Sequence, residues 1–398
     1  MLDYTLFGLN PTGYHFQQVL WHVLNSLLVY VLVRRLKLSP FIAWTSSIFF
    51  LIHPVQVEVL ANISHRKGSL VLFFSLLSVL TYIEGFMPGR KRLAYVVFSV
   101  MLGLVACLAK QTAVTLPLIF AAYEYAYVEP HNRFLLRKKW LALTATGIMI
   151  AGGGLWLFLS GILDNRYWQI QGVLSKLNYF QGATEATYLM TVLKSWVFMV
   201  FKLFYPRNLA LEYTFSIPSS WSDPWVILAI LTIILYFAAL LFSAKRQPAI
   251  FFMLIWGGAF WLPVSNISPL AYLTADRYLY APSVAFVVIC MILIDLSLSR
   301  LALLKYVLVV MIFIPMSFLT VRQNQVWQNP ITLWSNAVRV SPDSSYALSN
   351  LGSAYLEEGK AEEALPYLKR AIKNRYNSAA KSYLSEAYEM LRRQKNRP

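Results

Sequence analysis

Three short polar segments between the apolar runs of this chain carry basic side chains that suit anion binding. Arg66 and Lys67 lie in the first segment, Lys110 in the second and Arg277 in the third. Guanidinium and ammonium groups form charge-assisted hydrogen bonds with phosphate oxygens. If the segments meet in the fold, these four side chains form a cationic cup at the membrane surface that fits the phosphate or diphosphate of a lipid.

Simpler structural roles stand beside this interpretation. Interfacial Lys and Arg residues also bind ordinary lipid headgroups. Asp276 lies next to Arg277, and these two opposite charges could form a local ion pair. His53 and Glu58, near the end of a predicted helix, could simply hold the turn between two membrane spans.

Other kinds of chemistry have little support in the sequence. His and Cys residues do not cluster at zinc-ligand spacing, no Gly-rich phosphate loop follows a strand, and no G-x-S-x-G motif occurs. No metal cofactor is therefore expected. Cys107 and Cys290 both lie inside apolar runs, so a disulfide framework is not expected either.

The composition places these residues in a membrane protein. Of the 398 residues, 58% are hydrophobic and 13% are charged, whereas soluble domains are about 45–50% apolar and about 25% charged. The net charge of +17 comes mostly from basic clusters between apolar runs, which we interpret as topology signals and not as a nucleic-acid surface. An ordinary soluble enzyme and a disordered chain are both excluded.

Apolar runs of about 17–25 residues mark candidate membrane helices. We predict an all-α polytopic protein whose membrane domain covers residues 15–320. The ten predicted spans are residues 15–33, 41–60, 69–86, 93–109, 112–128, 141–161, 225–243, 249–266, 279–296 and 304–320.

The basic clusters predict the orientation of these spans. They follow the odd-numbered spans, as Arg34-Arg35 follows the first and Arg90-Lys91-Arg92 the third. Loops rich in Lys and Arg stay in the cytoplasm. Both termini are therefore expected on the opposite side, in the periplasm for a bacterial inner membrane protein or in the lumen for a protein of the endoplasmic reticulum.

Two segments do not fit a simple sequence of spans. Residues 188–206 are apolar but contain Lys194 and Lys202, and a crossing there would invert the later loops. We predict an interfacial or re-entrant helix with both lysines reaching the headgroups, inside a long non-cytoplasmic loop at 162–224. Residues 1–14 resemble the remnant of a non-cytoplasmic loop, which predicts an N-terminally truncated chain.

Residues 321–398 have a different, helical and charged pattern. Similarity at a period near 34 residues predicts a short tetratricopeptide array of helical hairpins, with one full unit and two partial ones. The predicted packing residues of the full unit are Leu351, Gly352, Tyr355, Ala364, Leu368 and Ala371. Because about three units are needed for a stable array, we expect this one to dock on the membrane domain or to continue in further repeats.

Several sequence blocks, in order along the whole chain, resemble the transmembrane and tetratricopeptide-repeat O-mannosyltransferase-like family, which has the GT-C glycosyltransferase fold. The blocks are Leu6-Phe7-Gly8-Leu9-Asn10-Pro11, His53-Pro54 with Val57-Glu58 and Arg66-Lys67, Ala109-Lys110 with Val114-Thr115-Leu116-Pro117, Leu262-Pro263-Val264-Ser265-Asn266 and Asp276-Arg277-Tyr278-Leu279-Tyr280-Ala281-Pro282-Ser283.

The resemblance implies transfer of a sugar, often mannose, from a polyprenyl- or dolichyl-phosphate donor to Ser or Thr hydroxyls, with no other cofactor. It implies that Arg277, Lys110, Arg66 and Lys67 bind the donor phosphate. The residues expected to bind the sugar or orient these cations are His53, Glu58, Asp276 and Tyr280. The helical repeats would bind the acceptor protein.

The chain departs from the family pattern at three places. The acidic residue expected to act as catalytic base belongs to a loop upstream of Met1, Gly68 replaces the usual Asp, and Gln111 replaces a frequent Glu. These departures favour an alternative, a non-catalytic membrane-anchored scaffold or inactive homologue. A transporter is a third possibility, but no span contains the paired internal charges that a coupled transport path needs.

Overall fold

The computed structural model describes residues 2–136, 184–267, 270, 272–374 and 378–395. Within these residues every regular element is a helix. The helices before the C-terminal region are α1 (Leu2–Phe7), α2 (Pro11–Arg35), α3 (Pro40–Ile52), α4 (Val57–Ala61), α5 (Arg66–Glu84), α6 (Arg92–Ala109), α7 (Leu116–Tyr127), α8 (Glu185–Phe204), α9 (Pro224–Arg246), α10 (Pro248–Trp261), α11 (Ser283–Ser297) and α12 (Ala302–Val326). The last four are α13 (Pro330–Val340), α14 (Ser345–Glu357), α15 (Ala361–Asn374) and α16 (Ser378–Lys395).

Several helices begin at a polar cap followed by proline. Asn10 accepts a hydrogen bond from the Thr12 amide before α2, and Ser39 accepts one from the Ile42 amide before α3. The cap residue satisfies a backbone N–H that has no partner inside the helix, and proline at the first position lacks an N–H that would need one. The Asp223-Pro224 and Asn329-Pro330 pairs begin α9 and α13 in the same way.

The apolar helices confirm the predicted all-α polytopic membrane protein. Among the described residues, six helices are long and apolar enough to cross a membrane, and a bent pair would make seven. Helices α9 and α12 expose many of their large apolar side chains, as lipid-facing helices do. The predicted sixth span, residues 141–161, lies outside the described residues, so the count of ten spans stays a prediction.

The second predicted span, residues 41–60, is broken. Helix α3 ends at Ile52, and the chain bends by 51° before it continues through Pro54 into α4. Carbonyls near the break accept bonds from other helices: the oxygen of Leu51 from His22 of α2 (3.1 Å) and the oxygen of Ile52 from Thr320 of α12 (2.6 Å). The break turns α4 inward and gives Glu58 a buried position.

The helices around this break form one core. Helix α5 packs between α2 and α6, α3 packs on α2 and α11, and α10 packs on α7, α9 and α11. The largest fully buried side chains include Trp256, Tyr82, Phe50 and Tyr280. The core brings the chain that follows α3, the turn between α6 and α7, and the turn before α11 to the same end of the bundle.

Helix α8 covers most of residues 188–206, the segment predicted to be an interfacial or re-entrant helix. It is one of the six described helices long and apolar enough to span, so its predicted placement stays a prediction. The expectation that both of its lysines reach the headgroups is wrong for Lys202. That side chain is buried, and its ammonium group donates to the carbonyls of Arg207 (2.6 Å) and Asn208 (3.2 Å), whereas Lys194 donates to Ser216 (2.8 Å).

Each C-terminal helix, from α13 to α16, packs against the next one along the chain. The first of them, α13, begins shortly after the end of α12. A Cβ atom on Gly352 would lie 2.4 Å from Leu368 Cδ2, so this glycine allows α14 and α15 to approach closely. Leu351, Ala364, Leu368 and Ala371 are buried, and Tyr355 stacks on Tyr367 with ring centroids 5.7 Å apart. These side chains lie between the C-terminal helices, while their roles in a tetratricopeptide array and the assignment itself stay predictions.

The N-terminal segment also has regular structure. Residues 1–14, expected to be a loop remnant, contain the short helix α1 and the start of α2. The predicted loop at 162–224 is described only from residue 184 onwards.

Candidate functional site

Arg277 lies at the centre of the predicted site, in the 3-10 turn Asp276–Leu279 that precedes α11. The carboxylate of Glu58, on α4, accepts hydrogen bonds from both the Arg277 amide (2.8 Å) and its guanidinium group (2.5 Å). Glu58 is buried and Arg277 nearly so. Among the described residues, the ion-pair partner of Arg277 is therefore Glu58 and not its neighbour Asp276.

Two aromatic rings complete the surroundings of the Arg277 guanidinium group. Its Cζ atom lies 4.7 Å from the ring centroid of Tyr272 and 5.2 Å from that of Tyr278. Cation–π contacts of this kind stabilise a guanidinium group that has left bulk water. The guanidinium group is thus fixed in place before any ligand binds.

Lys110 reaches the same place from the other side. It follows the last residue of α6 in extended conformation, and it lines a small pocket together with Arg277. Gly68, Thr112, Tyr278 and Tyr280 also line this pocket, which we call the cation pocket. Its free volume is about 10 Å³, roughly enough for one water molecule.

The positive charge in the cation pocket is only partly balanced. The backbone amide of Lys110 donates to the Ala106 carbonyl (3.0 Å), but its ammonium group makes no hydrogen bond or ion pair with any described residue. Burial, together with the positive charges of Arg277 and Lys67, lowers the pKa of Lys110 to about 8, and the charge of Glu58 opposes this shift. Lys67, on the first turn of α5, is exposed and likewise has no partner within the described ranges. The oxygens of a bound anion would accept hydrogen bonds from both ammonium groups and balance their charge.

The side chain of Arg66 points in a different direction from that of its neighbour Lys67. Its guanidinium group donates to the Gln17 side chain of α2 at 2.9 Å. Successive residues of a helix point about 100° apart, so α5 directs one cation towards α2 and leaves the other exposed. The structure therefore brings together Arg277, Lys110 and Lys67, while Arg66 contacts α2.

Asp276 belongs to a second buried cluster behind Arg277. Its carboxylate accepts a hydrogen bond of 2.6 Å from the hydroxyl of Tyr213. Burial and the nearby charge of Glu58 raise the pKa of Asp276 to about 8, against the opposing effects of Tyr213, Lys202 and Arg277. Sequence reasoning missed Tyr213 and the burial of Lys202, because neither spacing nor residue type links them to Asp276.

Two of the residues expected to contact the sugar have structural partners. His53 donates from Nε2 to the Leu203 carbonyl (3.0 Å) and accepts from the Val55 amide at Nδ1 (3.4 Å), so it holds the turn at the break and ties it to α8. The Tyr280 hydroxyl lies 2.9 Å from Nδ1 of His22 and accepts a bond from Asn25 (3.2 Å). Because Nε2 of His22 donates to a carbonyl, its Nδ1 accepts from Tyr280.

His65 was also missed in the sequence. Its Nδ1 atom is buried, has no hydrogen-bond partner among the described residues and lies 3.7 Å from the Glu58 carboxylate. Its place in the polar segment just before Arg66 was the available signal. No group of three or more His, Cys, Asp or Glu residues that could hold a metal ion occurs in the described part of the chain.

A large apolar cavity adjoins the cation pocket. Its volume is about 910 Å³, and its lining comes from α7 to α11. Pro282 lines both the cavity and the cation pocket. The lining contributed by described residues includes Trp196, Leu203, Ile233, Tyr236, Phe251, Trp261 and Phe286. Polar recognition at the pocket therefore lies beside a surface suited to a long apolar chain.

The sequence of residues 2–157 matches the family described as dolichyl-phosphate-mannose-protein mannosyltransferase. Three curated relatives are protein O-mannosyl-transferase F38B6.6 of Caenorhabditis elegans, TMTC3 of Mus musculus and TMTC4 of Homo sapiens. Their identities to this chain are 25%, 24% and 25%, over 94%, 93% and 90% of it. The alignments cover 52%, 43% and 54% of the relatives, so the chain spans about half of their length. No solved structure is significantly similar to the chain.

Proposed function

We propose that the chain is a membrane glycosyltransferase. Its similarity to curated protein O-mannosyl-transferases over about nine-tenths of its length supports this proposal, in agreement with the resemblance of its sequence blocks. The proposed reaction moves a sugar, mannose by the names of its relatives, from a polyprenyl-phosphate donor to Ser or Thr hydroxyls of an acceptor protein.

The convergence of Lys110 and Arg277 on one pocket carries this proposal. They come from turns separated by more than 160 residues of sequence, and no described side chain neutralises Lys110. Lys67 lies close enough to lower the pKa of Lys110. A site with this excess of positive charge favours an anion, and its position among membrane helices favours an anion attached to lipid.

The pocket suits the leaving-group half of the reaction. The acceptor oxygen forms a bond to the anomeric carbon while the bond from that carbon to the donor phosphate oxygen breaks, and the electron pair stays on the phosphate. Lys110, Lys67 and Arg277 would stabilise the growing negative charge there. The hydroxyl proton goes to a general base. Glu58 is engaged by Arg277 and Asp276 by Tyr213, so neither carboxylate is assigned this role.

The apolar cavity would hold part of the lipid tail. Polyprenyl chains are long and apolar, and the lining next to Pro282 is almost entirely apolar. A free sugar nucleotide has no apolar chain that could bind to this surface. The combination of cation pocket and apolar cavity therefore supports a lipid-linked donor. The C-terminal helices would bind or present the acceptor protein.

The decisive measurement is transfer of labelled mannose from polyprenyl-phosphate mannose to a Ser/Thr acceptor by the protein in lipid nanodiscs. We expect Arg277→Ala and Lys110→Ala each to lower kcat/KM about 100-fold, since each removes one stabilising group from the leaving phosphate. The matched control is Lys245→Ala, which removes an exposed lysine in the last turn of α9.

Rates equal to wild type in both site variants would overturn the proposed pocket. Absence of transfer by the wild-type chain, together with retained binding of an acceptor protein, would support the non-catalytic scaffold.

A further inference from the structure

The segment at 205–216, which we call the strap, connects α8 towards α9 and lies under the C-terminal helices. Side chains of α13 and of the turn before α14 hold it along its length. The contacts are Asn336 to the Leu209 carbonyl (2.8 Å), Arg339 to the Asn208 side chain (3.2 Å), Ser341 to the Glu212 carbonyl (3.2 Å), the Thr214 amide to Ser341 (3.1 Å) and Ser344 to the Glu212 carboxylate (2.6 Å).

The same strap reaches the candidate site on its inner side. Tyr213 follows Glu212 directly, is 3% exposed, and donates its hydroxyl hydrogen to Asp276. Its ring packs edge-on against Phe198 of α8 at 4.8 Å, and its oxygen also accepts the Ala210 amide (3.0 Å). Adjacent residues of the strap thus contact the C-terminal helices on one side and Asp276 on the other.

Asp276 and Arg277 share one 3-10 turn, so a displacement of one moves the other. Tyr213 holds this turn through the Asp276 side chain, and Glu58 holds it through the Arg277 amide and guanidinium group. Both anchors are buried. The position of the guanidinium group in the cation pocket therefore depends on the strap as well as on Glu58.

Packing alone does not account for a carboxyl group at this place. Asp276 is 2% exposed and lies near the charges of Glu58, Arg277 and Lys202. Burying a carboxyl group costs more free energy than burying an apolar side chain of similar volume. What the carboxyl group adds is a directional acceptor oxygen that fixes the turn to one hydroxyl of the strap.

We propose that Asp276 is a positioning residue for Arg277, and that the C-terminal helices act on it through the strap and Tyr213. The consequence for the donor phosphate rests on the proposed function. The relay itself does not depend on the proposed function, because all of its contacts are between residues of this chain.

Amide hydrogen exchange of residues 276–279 in the unliganded protein tests the relay directly. Tyr213→Phe removes only the hydroxyl group, and we expect exchange about 10-fold faster at the Arg277 amide. Ser344→Ala, on the far side of the strap, is expected to give about a 3-fold increase. The double variant should match Tyr213→Phe alone, because both substitutions interrupt one path. The matched controls are Tyr388→Phe, at an exposed position of the C-terminal helices, and Ser353→Ala, at a half-buried one.

Binding of farnesyl phosphate to the same nanodisc samples gives the second readout. We expect Tyr213→Phe and Asp276→Ala to weaken binding about 10-fold. Asp276→Asn keeps an acceptor oxygen for Tyr213, and its affinity should stay within 2-fold of wild type. A merely structural role would lower the melting temperature and leave the affinity of the folded protein unchanged.

Unchanged exchange at Arg277 in Tyr213→Phe overturns the positioning role, and additive effects in the double variant overturn the relay. Equal loss of affinity in Asp276→Asn and Asp276→Ala also overturns it, because the charge would then act and not the position. If exchange responds as expected but wild type does not bind farnesyl phosphate, the relay stands and the proposed function fails.

Discussion

Charged side chains at the two ends of helices α5 and α7 are balanced in different ways. At one end, the Glu124 carboxylate accepts four hydrogen bonds and needs no cation. The donors are the Tyr82 hydroxyl (2.7 Å) and the amides of Phe134 (2.9 Å), Leu135 (2.8 Å) and Leu136 (2.9 Å). At the other end, Glu58 balances Arg277 while Lys110 and Lys67 keep their charge without a partner among the described residues.

Two cations at the Glu124 end also have protein partners. Arg133 donates to the last carbonyls of α7, and Arg35 pairs with Glu84 at the end of α5. The buried carboxylate and both of these arginines therefore have protein partners, which favours stability. The cation pocket keeps uncompensated charge, which costs stability and is useful only when an anion arrives. The difference separates an anchoring end from a binding end.

The largest expected effect comes from the anchoring end. Glu124→Ala leaves three backbone amides and the Tyr82 hydroxyl without an acceptor in a buried place, and we expect a loss of about 3 kcal/mol in the free energy of unfolding. Denaturant unfolding in detergent measures it. Glu129→Ala, which removes an exposed carboxylate nearby, is the control. A loss below 1 kcal/mol would contradict the anchoring role.

The binding end should respond to pH instead. Because burial and neighbouring cations lower the pKa of Lys110 to about 8, its ammonium group loses its proton as the pH rises through 8. We expect kcat/KM for transfer to fall about 10-fold per pH unit above that value. Lys110→Arg stays protonated, so its profile should remain flat to a higher pH. An unchanged alkaline limb in Lys110→Arg would assign the fall to another group.

Replacing Lys110 should also change stability, by a smaller amount than Glu124→Ala and in the opposite direction. The pKa of Lys110 is lower in the folded chain than in the unfolded one, so its protonated form opposes folding below pH 8. Lys110→Met should therefore raise the free energy of unfolding at pH 7 by about 1 kcal/mol while it weakens phosphate binding. If Lys110→Met were less stable than wild type, the charge of Lys110 would not cost stability, and the contrast with the Glu124 end would be contradicted.

The smallest effect is expected at the Arg35–Glu84 pair. Arg35 is 42% exposed, and exposed ion pairs contribute about 0–1 kcal/mol. Arg35→Ala should change the melting temperature little and leave transfer unchanged. A loss comparable to that of Glu124→Ala would show that the anchoring end depends on this pair and not on the buried carboxylate.

Much of the fold was predictable because apolar length and basic clusters are local signals. The runs that contain α2, α5, α6, α9 and α12 correspond closely to the helices. The convergence of Lys110 with Arg277 could only be proposed, since it depends on packing between distant turns. Whether Arg66 or Lys67 faces the pocket depends on which side of α5 meets α2, and the sequence does not contain that information locally.

The buried partners were beyond sequence reasoning for a physical reason. Tyr213 and Asp276 are 63 residues apart, and the carboxylate could equally have paired with the adjacent Arg277. Lys202 was expected at the headgroups because exposed lysines near helix ends usually extend there. Instead, two backbone carbonyls of the strap accept hydrogen bonds from the Lys202 ammonium group and keep this side chain buried.

The broken helix at α3 and α4 has a consequence for biogenesis. The Ile52 carbonyl receives its bond from Thr320, which is synthesised 268 residues later. At about 5–20 residues per second, translation takes roughly 13–54 s to reach that point. An unsatisfied carbonyl is costly in hydrocarbon, so the nascent hairpin needs water, the translocation channel or a chaperone until α12 arrives. Assembly of this end is thereby delayed until nearly the whole bundle has left the ribosome.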